Sequence, residues 1–217
     1  MVAKSKKITS DHIISFYMAY VLEHEVVPKS VYKFCKVHQI EEVIFYKFFS
    51  SIEGLQKSVW NTFYSKTIAL ITKNKDYQSF SNKDKMLTFF FSFFELLTLN
   101  RSYVLFSLKY DKNLLKNMEQ LKGLRKNIKE FATALIENNN EHKTSKITQH
   151  NPKLFSEGAW LQLLFILKFW MDDDSLGFEK TDVAIEKSIN TIFDVFDNTP
   201  LDNIIDFGKF LFKEKMA

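Results

Sequence analysis

The sequence predicts an all-α protein, and three observations carry that prediction. Apolar residues recur at spacings of three and four along nearly the whole chain, and strict alternation over five or more residues is scarce. Capping residues and prolines divide the chain into about nine to ten segments of helical length, so no sheet is required. With 46% apolar residues among 217, a sizeable core is available.

The first helix runs from Ser10, a candidate N-cap, to Glu25, with Ile13, Tyr17 and Val21 on one stripe and Ile14, Met18 and Leu22 beside it. Pro28 ends it. Ser30 caps a short second helix burying Val31, Phe34 and Cys35, and a third begins near Glu41 with Ile44, Phe45 and Phe48. Three short helices within about 40 residues suit a helix-turn-helix. Ser51 starts a longer fourth helix with Leu55, Val59 and Phe63 inward, fading into Lys73-Asn74-Lys75. Helices follow over 82–99, 101–110 and 112–138, and the polar stretch from Asn138 to Asn151 reads as a mobile loop before Pro152. The helix over 153–172 is apolar nearly all round, and the one over 179–197 carries Ile185, Ile189, Ile192, Phe193 and Phe196. Thr199 and Pro200 open a last amphipathic helix with Leu201, Ile204, Ile205, Leu211 and Phe212. The expected division is a head over 1–50 and a helical body over 51–217.

Composition narrows the function. A single cysteine, Cys35, excludes an intramolecular disulfide and a cysteine-rich zinc site, so a cytoplasmic location is expected. The apolar run Ile13 to Leu22 is separated from three preceding lysines by Asp11 and His12, is followed by Glu23-His24-Glu25 and lacks a small-residue cleavage site, so no leader is expected. The run Ala159 to Met171 is short of the ~20 apolar residues that cross a bilayer, so no span is expected. Glycines at 54, 123, 158, 177 and 208 stand singly, which excludes a phosphate loop and a dinucleotide fingerprint. The histidines 12, 24, 38, 142 and 150 never pair at helical spacing, and Asp172-Asp173-Asp174 reads as a solvated turn rather than a calcium loop, so neither metal nor cofactor is expected. No serine elbow or Cys-His pairing is visible, and an enzyme is not expected.

Residues 13–60 resemble, without a gap, the head of TetR-type transcriptional regulators. Ser30-Val31 and Phe34-Cys35 fall on that family's second helix, Ile40 on its turn valine, and Ile44-Phe45-Tyr46-Lys47-Phe48-Phe49 on its recognition helix; Ser51, Glu53 and Leu55 match the segment after it. The resemblance implies a homodimer whose head binds DNA and whose body takes a small apolar ligand. Lys29, Ser30, Lys33, Ile44, Tyr46 and Lys47 are the implied DNA contacts. The chain departs from the family pattern at Gln39, where the turn glycine belongs, at Glu41 and Glu42, which put acids on the groove face, and at Ile52, which replaces a phosphate-seeking lysine. The first 66 residues hold nine lysines against six acids, and both arginines, Arg101 and Arg125, lie outside them.

In the body, Phe90, Phe93, Phe94, Tyr103, Phe106 and Trp160 outline either an apolar ligand pocket or plain core. Leu163, Leu164, Leu167 and Trp170, with Ile185, Ile189, Ile192, Phe193 and Phe196, outline a dimer interface, the other reading being the central helices of a monomer. A second resemblance rests on Trp170-Met171-Asp172-Asp173-Asp174-Ser175 followed by Thr181. It is similar to the TetR-fold accessory protein of ubiquinone biosynthesis, and implies lipid binding, a vestigial head and membrane docking through the last helix, where Phe207, Phe210, Leu211 and Phe212 adjoin Lys209, Lys213 and Lys215.

Overall fold

The computed structural model describes residues 8–111, 114–141 and 151–198, with the backbone alone described for 114–115, 138–141 and 196–198. The last helix expected from Thr199 onward, the centre of the polar stretch at 142–150 and the side chain of Phe196 lie outside the described residues. Among the described residues there are ten α-helices and no strand: α1 Ser10–His24, α2 Val31–Val37, α3 Glu42–Tyr46, α4 Ile52–Ile71, α5 Asn82–Leu99, α6 Arg101–Lys109, α7 Leu114–Glu119, α8 Lys122–Glu141, α9 Pro152–Asp172 and α10 Glu179–Asn198. Short 3-10 turns occupy Lys75–Ser79 and Leu176–Phe178.

Local capping chemistry places the starts of α1, α2, α4 and α9. Ser30 and Ser51 accept hydrogen bonds from the backbone N–H of Lys33 (3.2 Å) and Gly54 (3.1 Å). The cap of α1 is Thr9, one residue before the expected Ser10: its hydroxyl accepts from the His12 N–H while the His12 ring accepts from the Thr9 N–H, a capping box built with histidine. Asn151 caps α9 ahead of Pro152.

Two compact units form. The described residues within 1–73 and 92–127 make one, and those within 74–91 and 128–217 the other. Within the first unit, α1 and α4 pack on α6 and on the segment at Gln120. The Tyr17 and Tyr103 rings meet edge to face at 6.2 Å, Phe63 meets Tyr103 at 6.4 Å, and the Trp60 indole N–H donates to the Gln120 carboxamide oxygen at 2.9 Å. Gln120 in turn donates to the carbonyls of Ser107 and Asn117. That satisfied buried cluster breaks the single helix expected over 112–138 into α7 and α8. Gly123 follows, where a Cβ would stand 2.4 Å from Asn61 Oδ1.

In the second unit, Phe89 packs on Phe131 at 4.8 Å, and Phe155 of α9 meets Phe193 of α10 edge to face at 5.5 Å. The α9 helix is long and apolar enough, by length and composition, to cross a membrane, because it starts seven residues before the run at 159–171. Half of that stretch is buried inside the protein, and Gln162 donates to the Ser188 hydroxyl of α10 at 2.9 Å, which makes it a packed core helix.

The segment expected as a solvated turn is instead a hydrogen-bonded corner. Asp173 is 7% exposed; Oδ1 accepts from the backbone N–H (2.9 Å) and hydroxyl (2.6 Å) of Ser175, and Oδ2 from the N–H (2.9 Å) and hydroxyl (2.6 Å) of Thr181. Burial would raise its pKa, but these four donors outweigh burial and hold the carboxyl well below the usual carboxylate range. Asp173 thus ties the end of α9 to the first turn of α10.

Candidate functional site

The head begins with an aromatic cluster. Tyr17 and Tyr20 of α1 pack edge to face on Phe34 of α2 at 6.4 and 6.2 Å, and Phe34 meets Phe45 of α3 at 6.0 Å. These contacts hold α1, α2 and α3 together. The turn closes through the Ile40 N–H donating to the Cys35 carbonyl at 2.9 Å, with Gln39 at φ 55°. The position where the family resemblance places the turn glycine is thus left-handed here, carried by a residue with a Cβ. His38 stacks on Phe16 at 5.0 Å and 12°, with Phe34 4.7 Å away, and its buried Nε2 has no hydrogen-bond partner among the described residues. Desolvation pushes its pKa down, the nearby His24 adds to that, and Glu23 opposes it.

The outer face of this motif carries the expected contact residues. Lys29, Ser30, Lys33, Tyr46 and Lys47 are exposed, as is Lys36, which sits 5.9 Å over the Tyr32 ring. Among the described residues none of these four lysines is ion-paired, whereas Lys57, Lys122, Lys129, Lys168 and Lys180 each pair with a carboxylate. Ser30 uses its oxygen to cap α2 and keeps its proton to donate. Ile44 is half-buried, while its neighbour Val43 is 58% exposed, so Val43 is the apolar residue of α3 on the free face. Sequence periodicity missed it because α3 has only five residues, too few to fix a phase. Glu41 is exposed and makes no side-chain cap; Glu42 is half-buried in the first turn.

The six aromatic residues read as pocket or core divide between the units. Phe93, Phe94, Tyr103 and Phe106 belong to the first, and Phe90 and Trp160 to the second. All but the half-buried Phe106 are buried. The phenol of Tyr103 has no hydrogen-bond partner among the described residues. Of the six, Phe106 lines a cavity of about 450 Å³ within the first unit, together with Tyr17, Glu53, Gln56, Lys57, Tyr110, Asp111, Lys116 and Glu119. Gln56 donates to the Tyr17 phenol oxygen at 2.9 Å. Burial, against the opposing effect of that hydrogen bond, pushes the phenol up to about 12. Tyr17, Gln56 and Lys57 were not recognisable as cavity residues, because the cavity joins helices far apart in sequence.

Of the interface set, Leu163, Leu167, Trp170, Ile185, Ile189 and Phe193 are buried within the second unit, and Leu164 and Ile192 are half-buried. The apolar face left open on α9 consists of Leu161 (63% exposed), Phe165 (60%) and Phe169, four residues apart. The periodicity of α9 was legible, but two apolar stripes satisfy it, and the packing with α10 selects the other one.

A family model described as the C-terminal domain of tetracycline-repressor-like proteins matches residues 85–211, more than half of the chain. The match begins within α5 and leaves α1 to α4 outside it. Comparison with curated proteins finds no match.

Proposed function

The chain belongs to the tetracycline-repressor-like family, and on that premise we propose that it is a homodimeric, ligand-responsive DNA-binding transcriptional regulator. The observation that carries this reading is the α2-turn-α3 motif with Lys29, Lys33, Lys36 and Lys47 outward and unpaired among the described residues. In such a head the first helix of the motif crosses the backbone and the second enters the major groove. Lysines supply phosphate contacts without base reading, and the Tyr46 hydroxyl and Ser30 can donate to phosphate beside them. Two heads are needed for a two-fold operator, and the open Leu161, Phe165 and Phe169 stripe of α9 is the face on which a second copy of this chain would pack. A small ligand in the body would then shift the population of head arrangements that fit the operator.

The test is fluorescence anisotropy of the purified protein on its own upstream DNA and on an unrelated duplex at two salt concentrations, with sedimentation to fix the oligomer. Specific, salt-sensitive binding by a dimer is expected. Lys33→Ala and Lys47→Ala should each weaken binding and lower the salt slope by about one. Equal affinity for both duplexes, or an unchanged slope in both variants, would overturn the reading.

A further inference from the structure

We infer that His38 is an acid-sensitive latch of the head: the neutral ring holds α2 against α1, and a proton on the ring releases α2 and with it the arrangement of α2 and α3 that would dock on DNA. His38 closes α2 as its C-cap, directly before the left-handed Gln39. Its imidazole stacks on Phe16 of α1 at 5.0 Å and 12°, with Phe34 at 4.7 Å and Tyr20 at 6.1 Å. Nε2 is buried among these rings and has no hydrogen-bond partner among the described residues. A neutral imidazole can carry its one proton on Nδ1 and leave Nε2 a bare lone pair, whereas the imidazolium has a donor on both nitrogens. Protonation therefore sets a charged N–H where no oxygen receives it. Ring faces attract a cation, which offsets part of that cost but supplies no acceptor.

Burial is the largest influence on the ring and pushes its pKa below the ordinary value. The charged groups acting on it sit on α1: His24 opposes a proton and Glu23 favours one, while Glu42 of α3 acts instead on Cys35. The end of α2 gives a cation little help, because the carbonyls of Phe34, Cys35 and Lys36 accept from the backbone N–H groups of His38, Ile40 and Gln39. His38 is half-buried as a residue, so a turn of its side chain carries the ring to water. That turn empties the place between Phe16 and Phe34 and loosens α2, which bears Lys33 and Lys36. An expelled ring titrates near 6.5, so acid favours it by up to about tenfold at pH 5.5. The effect on DNA rests on the regulatory reading; the latch itself does not.

The test follows the histidine rings of the full chain by proton NMR between about pH 7.5 and 5, with the His38 signals assigned by their loss in His38→Phe. The neutral ring should resonate upfield under the Phe16 face, titrate with a midpoint below 6.5, and lose the upfield shift as it charges. Phe16→Leu, at a half-buried position, should move the midpoint back toward 6.5. Amide opening in α2 should rise by up to about tenfold between about pH 7.5 and 5.5 in the wild type, and much less in His38→Phe. Anisotropy on its own upstream DNA at fixed ionic strength should show the wild type losing several-fold more affinity over that interval than His38→Phe. A midpoint at or above 6.5, an upfield shift that persists in the charged ring, or the same pH dependence of α2 opening in wild type and variant would each overturn the latch. Specific DNA binding with one pH dependence in both proteins removes its role in docking and leaves the regulator standing. Acid-labile α2 opening in a chain without specific DNA binding does the reverse.

Discussion

Replacing Asp173 with asparagine tests whether the corner between α9 and α10 is held by charge-assisted hydrogen bonds. Four donors converge on this 7%-exposed carboxylate: two hydroxyls, which can rotate, and the Ser175 and Thr181 backbone N–H groups, which cannot. Asparagine keeps one accepting oxygen and presents an NH2 to the other pair. One backbone N–H then faces a donor and loses a bond to a charged group, worth about 1.5–3 kcal/mol, and one hydroxyl must turn away at about 1 kcal/mol. The expected cost is about 3 kcal/mol, or a fall in Tm of about 6–12 °C for a chain of this size. The sign of the pH dependence follows from the depressed pKa. The folded state binds fewer protons than the unfolded chain, so this stabilisation is complete above the unfolded value of 3.8 and is lost as pH falls through the folded value. Thermal melts and hydrogen exchange of the first α10 amides, measured at neutral pH and in acid, read both effects. A loss below about 1 kcal/mol at neutral pH, with unchanged exchange at Thr181, would refute the reasoning.

Gln39→Gly relieves the left-handed strain of about 1–2 kcal/mol at φ 55° but makes the unfolded chain more flexible by about 0.4–1 kcal/mol. A net gain of about 0.5–1 kcal/mol in a denaturant melt is expected, whereas Gln39→Val, β-branched at a positive φ, should destabilise. His38 has a folded pKa below the unfolded value of 6.5, so the folded state binds fewer protons, and stability should fall as pH drops through 6.5. His38→Phe keeps a ring against Phe16 and should flatten that dependence between about pH 7.5 and 5.5, followed by hydrogen exchange of α2.

What the sequence made legible is local. Ser30 and Ser51 cap their helices as expected because a cap is decided within four residues. Other features are set by partners far along the chain. The break between α7 and α8 depends on Trp60 reaching Gln120, sixty residues away. The choice of inward stripe on α9 depends on α10, since Leu163 and Leu167 on one side and Leu161 and Phe165 on the other are equally apolar. Asp173 sits in a run of three aspartates, and only the position of Thr181 distinguishes it from its neighbours. The cavity of the first unit gathers α1, α4 and the segment from Phe106 to Gln120, a juxtaposition with no local signature.

The same division bears on how the proposed head would discriminate sequence. Its cations are lysines, which act as point charges and lack the fork that reads guanine bidentately. Docking through Lys29, Lys33, Lys36 and Lys47 would supply salt-dependent affinity with little base preference. Glu41 is the more exposed of the two acids on α3, and against phosphate its charge opposes docking; opposite a cytosine amino group it would accept a hydrogen bond. Val43, 58% exposed, offers methyl groups suited to the thymine methyl. On the regulatory reading, therefore, the lysines determine how tightly the head holds DNA, and the short free face of α3, through Glu41 and Val43, determines which DNA it holds.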